Sequence, residues 1–317
     1  MCFTHGFPFD PTYGYNLASL LDIPAPTPPV DFAEFWKTRY WRALSIAPTA
    51  ELRPAHWQHS RYRVFDLSYR STDGVTISGW VLTPLHGDAR RGFVVGHGYG
   101  GREGPDLDLP FADAALLFPC FRGLSRSARP DISAWPNEHV LCGIEDRHRY
   151  VIGGCVDDLW IAVSALRELF PEIGERIGYL GISFGGGIGA LAIPWDHRIR
   201  RAHLNVPTFG HQALRLTLPT TGSGEAVRHY RFSHGNVMET LAYYDAACAA
   251  RHTRIPMHVA AALFDPVVAP PGQFAIYNAL PDPKELFVLM AGHFDYPAKS
   301  EQERELSAAL TRFFAPL

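Results

Sequence analysis

Long uninterrupted apolar runs are missing from this chain of 317 residues, and no segment approaches the length that a membrane-crossing helix requires. Cysteine is scarce as well. Cys2, Cys120, Cys142, Cys155 and Cys248 are odd in number and widely spaced, which argues against a disulfide framework or a thiolate zinc site and fits a soluble chain in a reducing compartment. No charge of one sign dominates: 29 basic residues stand against 32 acidic ones, so the net charge of -3 offers no attraction to nucleic acid or an anionic membrane. Met1 to Pro11 carries neither a positive leader nor an apolar stretch, so a secretory signal is not expected and a cytoplasmic location is. His56, His59, His229 and His234 lack the H-E-x-x-H or C-x-x-C company of a metal centre and read as loop or surface residues. Neither metal nor cofactor is expected.

What is present is apolar material, 47% of the residues, enough for a sizeable core. Pro24 to Pro29 forms a stiff connector behind an N-terminal arm. Asp31 then opens a helix through Leu44, whose Phe32, Phe35, Trp36, Tyr40 and Leu44 recur near helical spacing as a packing face. Val64 to Thr72 and Val75 to Thr83 read as strands joined at Asp73-Gly74, a hairpin signal. Short apolar runs follow at 92–96, 114–121, 176–181, 201–206, 257–264 and 285–290, alternating with helical stretches, of which Cys155 to Phe170 is the clearest. That alternation predicts an α/β fold, a mostly parallel twisted sheet with helices on both faces behind an N-terminal antiparallel hairpin. One domain over 1–317 is expected, with 1–63 as arm and helix. The pattern weakens between 207 and 245, a length that reads as a lid or interface insertion.

The segment Gly181-Ile182-Ser183-Phe184-Gly185 sits where a strand gives way to a helix. A serine at so sharp a turn needs neighbours almost without side chains, and Gly181 and Gly185 meet that need. The pattern predicts acyl transfer through Ser183. A serine hydroxyl needs an imidazole to take its proton, and the imidazole needs an acid to fix its tautomer. Asp265, after the run ending at Phe264, and His293, after Ala291-Gly292, fall in the chain order of nucleophile, acid and histidine. Asp295 is the weaker rival acid. The oxyanion that develops on the substrate requires two oriented amides, assigned to Phe184 and to Tyr99 in the loop His97-Gly98-Tyr99-Gly100-Gly101. His97 is expected to hold that loop, and Arg122 to form an ion pair with Asp157 or Asp158.

Together, His97-Gly98-Tyr99-Gly100, Arg122-Gly123, the Gly181 to Gly187 segment, Asp265 with Pro270-Pro271 and Phe274 to Asn278, and Gly292-His293 resemble the acetyl xylan esterases and cephalosporin C deacetylases of carbohydrate esterase family seven. The likeness extends over about residues 31 to 315. It implies an α/β-hydrolase that removes acetyl groups from small acylated sugars or alcohols, without a cofactor, inside the cell and as a ring-like homo-oligomer. Ser183, Asp265 and His293 match its triad, and Tyr99 and Phe184 its oxyanion positions. Three positions depart from it: Leu124 and Phe184 stand where the family has Gln, and Phe294 where it has Glu. These changes predict an apolar pocket wall at Phe184 and less polar support around the site. The same triad also serves peptidases and acyltransferases, and a silent hydrolase-like binding protein is the alternative from another class.

Overall fold

The computed structural model describes residues 3–317, and its centre is one nine-stranded sheet. The strands are β1 (Glu51–Pro54), β2 (Tyr62–Arg70), β3 (Thr76–Pro84), β4 (Arg91–Gly96), β5 (Ala114–Pro119), β6 (Ile177–Ile182), β7 (Arg201–Asn205), β8 (Met257–Ala262) and β9 (Lys284–Leu289). Their spatial order is β1-β2-β3-β5-β4-β6-β7-β8-β9. The first three strands join antiparallel and the remaining six run parallel. The expected hairpin is β2–β3, and it turns where Asp73 and Gly74 both adopt positive φ, 60° and 69°.

The parallel strands read as continuous apolar runs because both of their faces are covered. Along β4, Val94 joins one core while Phe93 and Val95 join the other, the period-two alternation of a pleated strand. In chain order the helices are α1 (Leu17–Leu21), α2 (Phe32–Leu44), α3 (Pro136–His139), α4 (Val151–Leu169), α5 (Phe184–Ala192), α6 (Gln212–Arg215), α7 (Ser223–His234), α8 (Met238–Leu241), α9 (Ala246–Ala250), α10 (Pro270–Ala279) and α11 (Lys299–Phe313). The larger core gathers Trp36 from α2, Trp160 from α4, Ile188 from α5 and Phe274 from α10. Leu306, Leu310 and Phe313 of α11 cover the opposite face.

Helix α4 begins four residues earlier than its apolar stripe suggests, since Gly153-Gly154 dilutes the signal. Strand β1 escapes sequence reading altogether: it is an edge strand of four residues, mostly exposed, with Leu52 alone half-buried against the core. The aromatic face of α2 packs as expected, with Trp36 edge-on to Trp160 and donating its indole N–H to the Tyr243 carbonyl. Beneath it lies a buried charge network. Arg39 bonds Asp157 at 2.8 Å, and Arg122 bonds Asp158 at 2.7 Å and Thr72 at 2.9 Å. Arg122 thus meets one of its two expected partners. No described helix is long and apolar enough to cross a membrane.

Candidate active site

Ser183, Asp265 and His293 follow the C-terminal ends of β6, β8 and β9, which are parallel neighbours apart from the intervening β7. Ser183 has φ 53° and ψ -108°, a strained backbone for a residue with a Cβ. The turn closes because Gly185 passes directly over β4: a Cβ there would lie 2.6 Å from the Gly96 carbonyl carbon. The Gly185 N–H donates to the His97 carbonyl at 2.8 Å and ties the elbow to the loop after β4.

The Nε2 atom of His293 lies 3.0 Å from Ser183 Oγ, and its Nδ1 lies 2.8 Å from Asp265 Oδ2. Asp265 is fully buried. Its Oδ1 accepts from the Val267 and Val268 amides, both at 2.9 Å, and its Oδ2 also accepts from Gln273 Nε2 at 3.0 Å. With Oδ1 held on backbone, Oδ2 is aimed at the ring. Gly292 makes the approach possible, since a Cβ there would stand 2.4 Å from Asp265 Oδ2. Burial alone would lower the His293 pKa, but the Asp265 charge and hydrogen bond outweigh it and hold the ring above its ordinary value. The rival acid, Asp295, turns instead to Lys299 Nζ at 2.7 Å.

The loop after β4 is fixed by histidine, as expected. His97 Nδ1 lies 2.6 Å from the Gly98 carbonyl and Nε2 accepts the Phe121 amide at 3.1 Å, so the proton sits on Nδ1. Burial pushes its pKa down to about 3 and keeps the ring neutral. The Tyr99 hydroxyl reaches His139 Nδ1 at 2.8 Å, and His139 Nε2 donates to the Arg122 carbonyl at 2.9 Å. Neither the Tyr99 nor the Phe184 amide donates to a protein acceptor among the described residues, which leaves both available beside Ser183.

Phe184 corrects one expectation. Its side chain does not wall the pocket; it is fully buried, with its ring 4.1 Å from that of Tyr99, 5.6 Å from Phe121 and 6.1 Å from Phe209. As the first residue of α5 it points under the elbow into the core. Leu124 is likewise buried, and Phe294 leans on Phe3, Phe7 and Phe264. The apolar replacements therefore fill packing sites. Ser183 opens on a cavity of about 310 Å³ whose walls include Tyr99, Trp135, Thr208, Arg215 and Val268. Segments 207–245 supply part of that wall.

Sequence reading missed Gln273, His139 and the contact of the N-terminal arm with the acid and histidine loops. Gln273 carries no local signal, because its partners are Asp265, the Val268 carbonyl at 2.7 Å and the Ala262 amide at 2.8 Å. Among the described residues no three His, Cys, Asp or Glu side chains are grouped to hold a metal ion. His229 instead contacts Glu225 at 2.9 Å, and His234 stacks on Tyr230.

A mostly parallel sheet presenting a serine, an acid and a histidine from the C-terminal ends of its parallel strands defines the α/β-hydrolase class. Within it the chain belongs to the acetyl xylan esterase family, whose model matches residues 22–309. The acetyl xylan esterase from Paenibacillus sp. R4 superposes with a TM-score of 0.80 at 24% identity, over 93% of this chain and 99% of that one. Acetyl xylan esterase 1 from Thermoanaerobacterium sp. JW/SL YS485 gives 0.80 at 21% identity, over 95% and 99%. The acetyl esterase Axe7A of Xylanibacter ruminicola is 23% identical over 154 residues, so the match spans 49% of this chain and 35% of that relative. An acylaminoacyl peptidase from Pyrococcus horikoshii shares the fold more distantly, at a TM-score of 0.63 and 15% identity, over 81% of this chain and 42% of that one.

Proposed function

We propose that the protein is a serine carboxylic-ester hydrolase that removes acetyl or other short acyl groups from small sugar-like or alcohol esters. Ser183 Oγ attacks the ester carbonyl carbon while His293 Nε2 takes its proton. Asp265 holds the ring and balances its positive charge. The Tyr99 and Phe184 amides donate to the oxyanion, whose stabilisation is usually the largest single term in such catalysis. The carbon–oxygen bond to the alcohol then breaks, His293 returns the proton to the leaving oxygen, and an acyl-Ser183 ester remains. Water attacks that ester with His293 again as base, and the carboxylic acid departs. These steps call for no cofactor.

The observation that carries this reading is the unbroken relay from Asp265 Oδ2 through His293 to Ser183 Oγ, at 2.8 and 3.0 Å. Ser183→Ala should lower hydrolysis of p-nitrophenyl acetate by about 10³-fold or more with the fold intact. Parent-level turnover by that variant would overturn the assignment. Aminoacyl amides and alcohol acceptors in the same assay separate peptidase and acyltransferase activity, and fluorophosphonate labelling of Ser183 separates a silent relative. A homo-oligomer belongs to the same proposal. It is supported by Trp135 and Phe232, 74% and 75% exposed, the first just ahead of α3 and the second on α7. Light scattering that returns only the 35.3 kDa monomer would remove it. A cytoplasmic site of action is supported by the free thiols of Cys120, Cys142, Cys155 and Cys248.

A further inference from the structure

Arg215, at the end of α6, brings a guanidinium to the cavity onto which Ser183 opens. It is the one formally charged side chain among that cavity's described walls. A guanidinium offers five N–H donors, and a buried one is ordinarily matched by a carboxylate. Arg39 and Arg122 follow that rule with Asp157 and Asp158. Arg215, only half-buried, does not: its polar contact with the described residues is a neutral one, Nη1 to Gln212 Oε1 at 3.1 Å, beside the face of Phe209 at 5.5 Å.

The acid whose charge is felt at Arg215 is already engaged. Asp245 accepts from the backbone amides of His211, Gln212, Ala247 and Cys248, at 3.2, 2.6, 3.0 and 3.3 Å, and forms no ion pair with Arg215. Burial pulls the guanidinium below its ordinary pKa, against the opposing influence of Tyr150, Tyr99 and Asp245. A second group waits at the same place. The Thr220 hydroxyl is 7% exposed and has no hydrogen-bond partner. Both groups close on Gly224, where a Cβ would stand 3.2 Å from Arg215 Nη2, 3.2 Å from Thr220 Oγ1 and 3.3 Å from Arg215 Nε. The two groups meet behind Gly224, and Arg215 reaches from there into the wall of a cavity that contains the nucleophile and, among its described walls, no carboxylate.

We propose that Arg215, with Thr220 beside it, is the specificity determinant of this site and selects esters that bear a carboxylate within the cavity's reach of Ser183. The proposal rests on the ester-hydrolase reading and narrows it from acyl esters in general to anionic ones. A carboxylate takes two parallel bonds from a guanidinium and supplies the missing counter-charge, whereas a neutral ester leaves the donors unpaired.

Matched substrates test the idea. Monoethyl succinate against ethyl levulinate places the charge, or its neutral counterpart, on the acyl side; acetoxyacetate against acetoxyacetamide places it on the alcohol side. The wild-type protein should favour the anion in one of the two pairs by about 10- to 100-fold in kcat/KM, expressed mainly in KM. Arg215→Gln should bring that ratio close to one, and Arg215→Lys should keep part of it. The ratio is internal to each variant, so a general loss of folding or of packing on Phe209 does not imitate the effect. Ratios near one for both pairs in the wild type, or an anion preference that survives Arg215→Gln, would overturn the proposal. Calorimetry on Ser183→Ala with monoethyl succinate, ethyl levulinate, acetoxyacetate and acetoxyacetamide separates recognition from chemistry. Anion-selective binding there sustains the role of Arg215 even if no ester is turned over, and equal binding within both pairs removes it even if hydrolysis is fast.

Discussion

At the scale of single residues, the charge on Asp265 sets the protonation of His293 and hence the pH range of activity. His293 must be neutral to accept the Ser183 proton, and its pKa is raised from 6.5. The acid limb of the kcat/KM profile should therefore have its midpoint above 6.5. Asp265→Asn leaves burial as the main influence on the ring. The midpoint should fall, and kcat should drop by about 10²- to 10⁴-fold. A midpoint that does not move would separate Asp265 from the relay. Phe184 invites a different test. Restoring the family's amide as Phe184→Gln inserts a polar group among Tyr99, Phe121 and Phe209 without widening the pocket. Denaturant titration should register a loss of about 1–3 kcal/mol, set by the unpaired amide. A variant as stable as the parent would mean that this position tolerates an amide.

At the scale of elements, the hairpin, the elbow and the order of acid and histidine were legible because each rests on local chemistry: Asp73-Gly74 at positive φ, glycines flanking Ser183, and loops that end parallel strands. What stayed hidden depends on contacts between distant segments. Gln273 meets Asp265 across a turn, His139 meets Tyr99 forty residues away, and β1, four residues long, has only Leu52 half-buried to announce it. The arm is the plainest case. Phe3 lies edge-on to Phe264 at 5.1 Å and tilted to Phe294 at 5.6 Å, Phe7 meets Phe294 at 6.1 Å, and the Asp265 amide donates to the Pro11 carbonyl at 3.1 Å. The arm therefore braces both loops that carry the acid and the histidine. Replacing Phe3 and Phe7 together by Ala should lower kcat by about 10- to 100-fold through small displacements of His293, with KM far less affected. Unchanged kcat in the folded double variant would show that the loops hold themselves.

At the scale of the whole molecule, buried histidines govern acid stability. Burial brings His97 to about 3 and His258, which faces His203 across β7 and β8 at 3.0 Å, to about 4. The unfolded chain binds protons at these rings near pH 6.5, whereas the folded one refuses them until far lower, so stability is full above that value and lost as the pH falls. The slope should approach roughly 1.4 kcal/mol per pH unit for each ring between about 6.5 and 4. His293 opposes this: its raised pKa contributes stability that is complete below about 6.5 and disappears as the pH climbs through its folded value. Burial lowers His139, His203 and His252 as well, so five rings against one leave a net fall. Urea midpoints at pH 7.5, 5.5 and 4.5 should decline in that order, and a constant midpoint would contradict the burial argument. The outer border of the sheet at β1 has a consequence of its own. Glu51 and Arg53 are exposed there, and Pro54 has no amide hydrogen to offer a newcomer. Copies of the protein are thereby discouraged from stacking edge to edge into fibrils along that side, and concentrated stocks should stay clear of cross-β growth from it.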